Sequence, residues 1–259
     1  MDGAAAAGRH ADAMAALGRV AGFAPNPVLR ARLDQHEALW AACADAPECH
    51  DHPAWAALLD AVTVQETRLF RHPAQCAALA QALPARAAAA RAEGRALRLL
   101  SAGCATGEEA FTLAALAADA APGTAPEVVG LDLSRPALAL AETGVAATRP
   151  GDDWAGVPPA LRGAAFRLAP QGVALARRPG LSLEFRRANL ARPLPALGGF
   201  DVVFCRNLLI YLLEPLRAAL VARLMGLLRP GGVLGLGPTD RLPPGAVPAG
   251  EALLRAGHG

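Results

Sequence analysis

A glycine-containing loop followed by two acids is the first feature of this sequence that points to ligand binding. The segment SAGCATGEE (101–109) carries Gly103 and Gly107, and glycines let a backbone turn tightly and approach a ligand closely. Their G-x-x-x-G spacing differs from the G-x-G-x-x-G of dinucleotide-binding loops. Glu108 and Glu109 follow directly, and their negative charges would repel a pyrophosphate. They suit a cationic ligand, such as a sulfonium that also bears an ammonium group.

An acid at the end of the next apolar run extends this site. Asp132 closes EVVGLD, 25 residues after Gly107, where a carboxylate can accept hydrogen bonds from both hydroxyls of a ribose. The alternative interpretation is that the two glycines only permit packing and that Asp132 caps a helix beginning at Ser134. In this order, the features favour a nucleoside ligand without phosphate, which among common cofactors points to S-adenosyl-L-methionine.

Other reactive side chains carry weaker signals. Cys43, Cys49, His50 and His52 cluster in one segment, but the spacing differs from the C-x2-4-C of structural zinc sites, so we predict no metal site. No G-x-S-x-G, H-E-x-x-H or GK[ST] pattern is present, which argues against hydrolase, zincin and nucleotidase functions. All 25 basic residues are arginine, which excludes Schiff-base catalysis by lysine.

The elements that must position these residues alternate between strand and helix from about residue 95. The predicted strands are RALRLLSAG, EVVGLDL, LSLEFRR, FDVVFCRN and GVLGLG, with RPGG predicted as a turn before the last. Helices are predicted between them, the longest in EPLRAALVARLMGLL. This alternation predicts an α/β fold with a parallel, doubly wound sheet, whose ligands bind at the carboxyl ends of the strands.

The chain divides into two regions. Residues 1–62 are alanine-rich with helical spacing, and residues 63–259 form the predicted catalytic domain. Residues 145–180 interrupt the strand–helix rhythm, and we interpret them as a small inserted subdomain, rich in β-structure.

Composition limits the partners and the compartment. The 53% hydrophobic content supports a large core, and the net charge of +2 predicts neither a nucleic-acid-binding nor a membrane-binding surface. The sequence shows no secretory leader and no apolar run long enough to insert into a membrane. Five cysteines, an odd number, fit reduced thiols. We therefore expect a cytoplasmic protein of unknown oligomeric state.

Five segments of the sequence resemble one family in order and spacing. They are ETRLFRHP, SAGCATGEEAF, the strand end at Asp132, FDVVFCRNLLIYL and LRPGGVLGLGPTD. They are similar to segments of the chemotaxis-receptor glutamate O-methyltransferases (CheR-type), and the likeness covers about residues 62–240. It implies a class I (Rossmann-like) methyltransferase sheet and S-adenosyl-L-methionine as cofactor. The CRN-x-x-I-Y and ETxxFR segments are specific to this family.

The resemblance also implies roles for individual residues. Arg71 would lie near the methionine carboxylate and the reaction centre, Glu109 would hold the amino-acid portion, and Asp132 would hold the ribose. Tyr211, the only tyrosine, would face the methyl group and the incoming substrate, so Arg71 and Tyr211 are the predicted catalytic residues. The other predicted cofactor-binding residues are Gln65, Thr67, Gly103, Asn189, Leu190, Arg206, Asn207 and Leu208, with Asn189 and Leu190 framing the adenine.

Four departures from the family pattern bear on the substrate. Gln65 stands where the family usually has Asn, His72 replaces an acid, and Pro238 replaces a polar residue. The N-terminal region is short, with Arg30 and Arg32 the only candidates for the basic docking role that it has in the family.

The resulting hypothesis is methyl transfer to glutamate carboxylates of a protein, with a chemoreceptor-like cytoplasmic helix as the partner. A glutamate, with a pKa of ~4.3, is already anionic at neutral pH and needs no general base. Two alternatives stay open: the same fold and cofactor with a different acceptor, and a non-catalytic module that binds the cofactor or its demethylated product and signals.

Overall fold

The computed structural model describes residues 2–122, 125–147, 154, 156–176, 179–238, 240, 247–248 and 253–255. Four helices come first: α1 (Asp2–Ala21), α2 (Pro27–Gln35), α3 (Glu37–Ala41) and α4 (Pro53–Val62). A linker of extended and turn residues then leads to α5 (Pro73–Ala92).

A strand–helix alternation follows the helices. Its elements are β1 (Arg98–Ala102), α6 (Glu108–Ala120), β2 (Glu127–Asp132), α7 (Arg135–Glu142), β3 (Val145–Ala147), β4 (Phe166–Ala169), β5 (Gly172–Leu175), β6 (Ser182–Arg187), β7 (Phe200–Cys205), α8 (Glu214–Gly226), β8 (Leu228–Leu236), β9 (Val247–Pro248) and β10 (Leu253–Arg255).

The main sheet has seven strands in the order β6-β2-β1-β7-β8-β10-β9. The five strands from β6 to β8 are parallel, while β10 pairs antiparallel with both β8 and β9. The predicted α/β class with a mostly parallel sheet is confirmed. Near the C-terminus, Leu253–Arg255 forms β10, which extends the sheet beyond β8.

Separate hydrophobic cores lie on the two faces of this sheet. Leu99, Val202 and Phe204 point into the core formed with α5 and α6. Their neighbours Leu100 and Val203 point into the core formed with α8. Successive strand residues face opposite sides, so a strand buried on both faces appears in the sequence as a continuous apolar run.

Residues 145–175 contain a second, three-stranded antiparallel sheet in the order β3-β5-β4. This sheet lies within the segment interpreted as an insert. Part of that segment, residues 148–153, 155 and 177–178, lies outside the described residues.

One predicted turn is wrong. The segment RPGG (229–232) belongs to β8, which begins at Leu228, and it causes an irregular register against β7 between Phe200 and Val202. Gly231 has a φ of 70°, which accommodates this bulge without ending the strand.

A buried ion pair aligns the first residues of β1 and β7. Asp201 is 3% exposed and accepts hydrogen bonds from two guanidinium nitrogens of Arg95 at 2.7 and 2.8 Å and from the backbone N–H of Arg98 at 2.9 Å. The side-chain hydrogen bond to Asp201 is the main cause that raises the pKa of Arg95. This pairing sets the register of the two central strands, whose opposite ends form the candidate site.

The close packing of β2 generates a stability prediction. A Cβ added at Gly130 would lie 2.5 Å from Cδ1 of Phe185, whereas one added at Gly226, at the end of α8, meets nothing within 4 Å. We expect Gly130→Ala to lower the free energy of unfolding by ~1–3 kcal/mol through overpacking. The matched control Gly226→Ala should leave it unchanged or raise it by up to ~1 kcal/mol. Urea unfolding of both variants measures this, and equal stability of the two would contradict the packing described for β2.

Candidate active site

Three chain segments meet at the carboxyl edge of the parallel strands. They lie at the ends of β1 (103–107), β2 (132–134) and β7 (206–208). The strand order reverses between β1 and β7, since β2 lies on one side of β1 and β7 on the other. Such a switch point opens a crevice outside the strand ends, where α/β proteins bind their ligands.

The glycine loop folds onto the end of β2. The backbone N–H groups of Gly103 and Cys104 both donate to the carbonyl of Leu131, at 2.8 and 2.9 Å. Gly103 and Gly107 have φ of 82° and 100°, and Ala105 between them has 47°. The left-handed conformation is natural for glycine and strained for alanine, so the loop is held by its contacts.

Asp132 provides the main contact that holds the loop. One oxygen of its carboxylate accepts from the N–H of Ala105 at 2.8 Å and the other from the N–H of Ser134 at 2.9 Å. Burial raises the pKa of Asp132, and hydrogen bonds from backbone N–H groups act in the opposite direction. Each oxygen keeps a free lone pair, so the carboxylate can still accept two ligand hydroxyls. The N-cap of α7 is Ser134, whose hydroxyl accepts from the N–H of Ala137.

A buried ion pair links α6, the helix that begins with Glu108 and Glu109, to the segment after β7. Nε of Arg206 donates to Glu109 at 2.6 Å, and the hydroxyl of Ser101 donates to the other carboxylate oxygen at 2.7 Å. The side chains of Arg206 and Glu109 are 1% and 9% exposed. Glu109 is therefore neutralised within the protein, which differs from the free anion that the sequence analysis assumed. Its predicted contact with an amino-acid portion stays a prediction.

Arg206 also reaches the linker before α5. One guanidinium nitrogen donates to the backbone carbonyl of Arg71 and lies 3.2 Å from Oε1 of Gln75. The amide nitrogen of Gln75 donates to the carbonyl of Leu236 at 2.9 Å. The linker is thus bound to the sheet through buried polar contacts.

Two adjoining cavities lie over this edge and share five wall residues. The first encloses about 720 Å³ including its open mouth, the second about 660 Å³. The shared residues are Val64, Gly103, Asp132, Leu208 and Tyr211. Because they share a wall, the cavities form one elongated groove with an apolar half and a polar half, and Asp132 stands at the junction.

The groove contains nearly all the predicted site residues. Asn189 and Leu190 line the apolar half, and Gly103, Asp132, Leu208 and Tyr211 line both halves. Those that line the polar half alone are Thr67, Arg71, Glu109, Arg206 and Asn207. Gln65 lines neither half, because its amide nitrogen donates to the hydroxyl of Thr63 at 2.9 Å. Its Oε1 is buried without a hydrogen-bond partner among the described residues.

The N-terminal wall of the apolar half was not predicted from the sequence. Ala21, Phe23, Asn26 and Leu29 line it, together with Val62 and Thr63 from the end of α4. The apolar face of α1, with Leu17 and Val20 fully buried, was the available signal, and alanine-rich composition obscured it.

Hydrogen bonds attach this wall to the catalytic domain. The N–H of Ala24 donates to the carbonyl of Tyr211 at 2.8 Å, and the N–H of Leu213 to the carbonyl of Gly22 at 2.9 Å. The amide of Asn189 donates to the carbonyl of Val20 at 2.9 Å. The predicted adenine-framing role of Asn189 is therefore combined with a structural one.

Arg32, a candidate docking residue, also has a structural role, and its docking role stays a prediction. Its guanidinium donates to the carbonyls of Ala61 and Thr63, at 3.2 and 3.0 Å, and so caps the end of α4 beside the groove. Arg30 is exposed, and its docking role stays a prediction.

The cysteine–histidine segment forms a surface cluster. Ligand atoms of Cys49, His50 and Asp51 lie within 4.8 Å of one another. Asp51 pairs with the guanidinium of Arg187 at 2.5 Å, a cation that competes with a metal ion for the same carboxylate. Cys43 is buried elsewhere and donates to the carbonyl of Leu39.

The groove suits S-adenosyl-L-methionine by the chemistry of its walls. At the junction of the two halves, a Cβ added at Gly103 would lie 3.2 Å from Cδ2 of Leu208, and the φ of 82° favours glycine. The apolar half suits a purine, and Asp132 at the junction suits ribose hydroxyls. Among the described residues, no helix is both long and apolar enough to span a membrane.

Comparisons with known proteins agree with this fit. A family model for the SAM-binding domain of CheR methyltransferases matches residues 65–249. The probable biofilm formation methyltransferase WspC of Pseudomonas aeruginosa is 36% identical over 187 residues, covering 71% of this chain and 43% of that protein. Chemotaxis protein methyltransferase 1 of the same organism is 32% identical over 194 residues, covering 71% and 69%. The chain spans less than half the length of that WspC protein. The cofactor of the chain described here is S-adenosyl-L-methionine.

The position of Asp132 generates a binding prediction. Asp132→Asn puts an NH2 group opposite one of two backbone N–H donors and weakens the contact to the ribose. We expect the Kd for S-adenosylhomocysteine to rise roughly tenfold to hundredfold, as for loss of a hydrogen bond to a charged group. Isothermal titration measures it, beside Asp119→Asn on the exposed end of α6 as the matched control. Equal affinities for the two variants would contradict the assignment of Asp132.

Proposed function

This chain belongs to the CheR methyltransferase family, and on that premise we propose that it methylates glutamate side-chain carboxylates of a protein. The acceptor we propose is a cytoplasmic helix of a chemoreceptor-like protein, so the reaction would take place in the cytoplasm. The observation that carries this proposal is the set of hydrogen-bond donors in the polar half of the groove. Thr67, Arg71 and Tyr211 all line it, beside the junction at Asp132.

An anionic acceptor explains this choice of side chains. A carboxylate is already ionised at neutral pH, so it needs donors that orient it and no base that deprotonates it. An amine acceptor would arrive protonated and would require a base. Arginine and tyrosine supply a charged and a neutral donor for the two carboxylate oxygens.

The protein's contribution to the reaction is position and exclusion of water. Bound S-adenosyl-L-methionine supplies an electrophilic methyl group on a sulfonium, whose S–CH3 bond breaks as the O–CH3 bond of the ester forms. The positive charge of the sulfonium and the negative charge of the carboxylate cancel in this step, and no proton is transferred. Holding the acceptor oxygen in line accounts for many kcal/mol in reactions of this kind, on the order of 7–11.

Hydrogen bonds of its side chain and of its backbone hold Arg71 in position for this role. Its guanidinium donates to the carbonyl of Glu66 at 3.0 Å, and its carbonyl accepts from the buried Arg206. The side chain is 24% exposed, so it faces the groove while it remains accessible to an incoming carboxylate.

The named relatives support a protein acceptor. A chemotaxis protein methyltransferase matches this chain over 69% of its own length, and WspC proteins match over 43% of theirs.

The experiment that tests the proposal is transfer of a radiolabelled methyl group to helical receptor peptides with glutamate at the acceptor position. Base-labile label, released as methanol, identifies the methyl ester. The same peptide with glutamine is the control. Cofactor binding without transfer would favour the signalling-module alternative.

The donor set generates a kinetic prediction. We expect Arg71→Ala to lower kcat/KM for the peptide roughly tenfold to hundredfold, because a charge-assisted hydrogen bond is lost. Tyr211→Phe should lower it about tenfold, the loss of a neutral donor. Arg68→Ala, an exposed arginine of the same linker, is the matched control and should retain wild-type kinetics. Steady-state assays check this, and full activity of Arg71→Ala would refute the role given to that residue.

A further inference from the structure

Ile210 exposes an apolar side chain on the wall of the polar half of the groove. It is 45% exposed and lines that half together with Arg71 and Tyr211. The structure describes three other large hydrophobic side chains that are comparably exposed, Val28, Leu140 and Leu168. None of these three lines the groove. Single exposed apolar side chains are common on protein surfaces, so what distinguishes Ile210 is its location.

The position of Ile210 within the polar half separates it from the cofactor end. Val64 and Leu208 also line this half, but both line the apolar half as well and so lie at the junction. Ile210 lines the polar half alone. Because it is also nearly half exposed, its free surface lies at the open side of that half, where an acceptor enters.

The short turn that carries Ile210, Leu209–Tyr211, is fixed by the residues around it. Leu209 and Leu212 are buried in the core formed with α8. The backbone N–H groups of Tyr211 and Leu212 donate to the carbonyls of Leu208 and Leu209, each at 3.0 Å. The branched Cβ of Ile210 restricts its χ1 angle. A contact at Ile210 therefore costs little conformational entropy on the protein side.

A helical acceptor would bring a second side chain to this place. Residues three or four positions apart lie on the same face of an α-helix, with their Cβ atoms about 5–6 Å apart. Ile210 directly precedes Tyr211, and adjacent Cα atoms are about 3.8 Å apart. When Arg71 and Tyr211 bind the glutamate of a helix, a residue one helical turn away is therefore within reach of Ile210.

We propose that Ile210 is a specificity-determining residue that binds an apolar side chain of the acceptor helix, one turn from the methylated glutamate. This inference rests on the proposed function. The contact removes apolar surface of both partners from water and so favours binding, whereas an acidic side chain at the same place would lose hydration against Ile210. The acceptor is thus selected by two side chains on one helix face, the glutamate and an apolar residue.

The test is a double-mutant cycle between the enzyme and the helical glutamate peptide. Each peptide carries leucine or alanine at one of the positions three or four residues before or after the glutamate. For the wild type, leucine at one or more of these positions should lower KM roughly threefold to tenfold relative to alanine, and Ile210→Ala should remove most of this difference. Leu140→Ala, at a comparably exposed leucine of α7, is the matched control and should keep it.

Two further readouts separate this contact from a cofactor or folding effect. Ile210→Ala should retain kcat, because a contact away from the reacting atoms is made equally in the ground state and the transition state. Its Kd for S-adenosylhomocysteine should change by less than about threefold, and a larger rise would assign Ile210 to the cofactor instead. Additive effects at all four peptide positions, or equal loss of discrimination in Leu140→Ala, would overturn this inference and leave the proposed function standing. Absence of transfer to any peptide by the wild-type chain would overturn both.

Discussion

The buried guanidinium of Arg206 is the contact on which the catalytic edge depends. It pairs with Glu109 of α6, donates to the backbone carbonyl of Arg71 in the linker, and lies near the amide of Gln75 in α5. Its charge also stacks over the ring of Phe204 at 4.8 Å. Loss of one partner from such a buried pair costs ~3–5 kcal/mol, because the other charge is left unpaired. The position of the Arg71 backbone, beside the polar half of the groove, therefore depends on this one side chain.

The helices that precede the domain form part of the site as well. Phe23 and Leu29 line the apolar half of the groove, and the hydrogen bond from Ala24 to Tyr211 couples that wall to the segment after β7. The apolar half of the groove is thus lined both by the N-terminal region and by the domain that follows it. A ligand that fills this half would contact both parts, so we infer that its binding stabilises their association.

Several of these features could be predicted from local sequence, and others could not. Gly103, Asp132 and the apolar strands were predictable because loop geometry and strand burial impose residue types at fixed spacing. The pairing of Glu109 with Arg206 was not, because it joins residues 97 positions apart, and composition does not reveal such partners. The same holds for Arg32, whose hydrogen bonds to the carbonyls of Ala61 and Thr63 join residues about 30 positions apart. The bulge at RPGG was mistaken for a turn because glycine and proline mark both structures.

We propose that the two cavities form one binding site for S-adenosyl-L-methionine, and Tyr211 lies on the wall of both halves. Tyr211 is the only tyrosine of the chain, so fluorotyrosine incorporation labels this position alone and gives one ¹⁹F NMR resonance. Titration with S-adenosylhomocysteine should shift that resonance and saturate at the Kd found by calorimetry. A resonance that stays unchanged at concentrations where calorimetry shows full binding would place the ligand elsewhere and contradict the account.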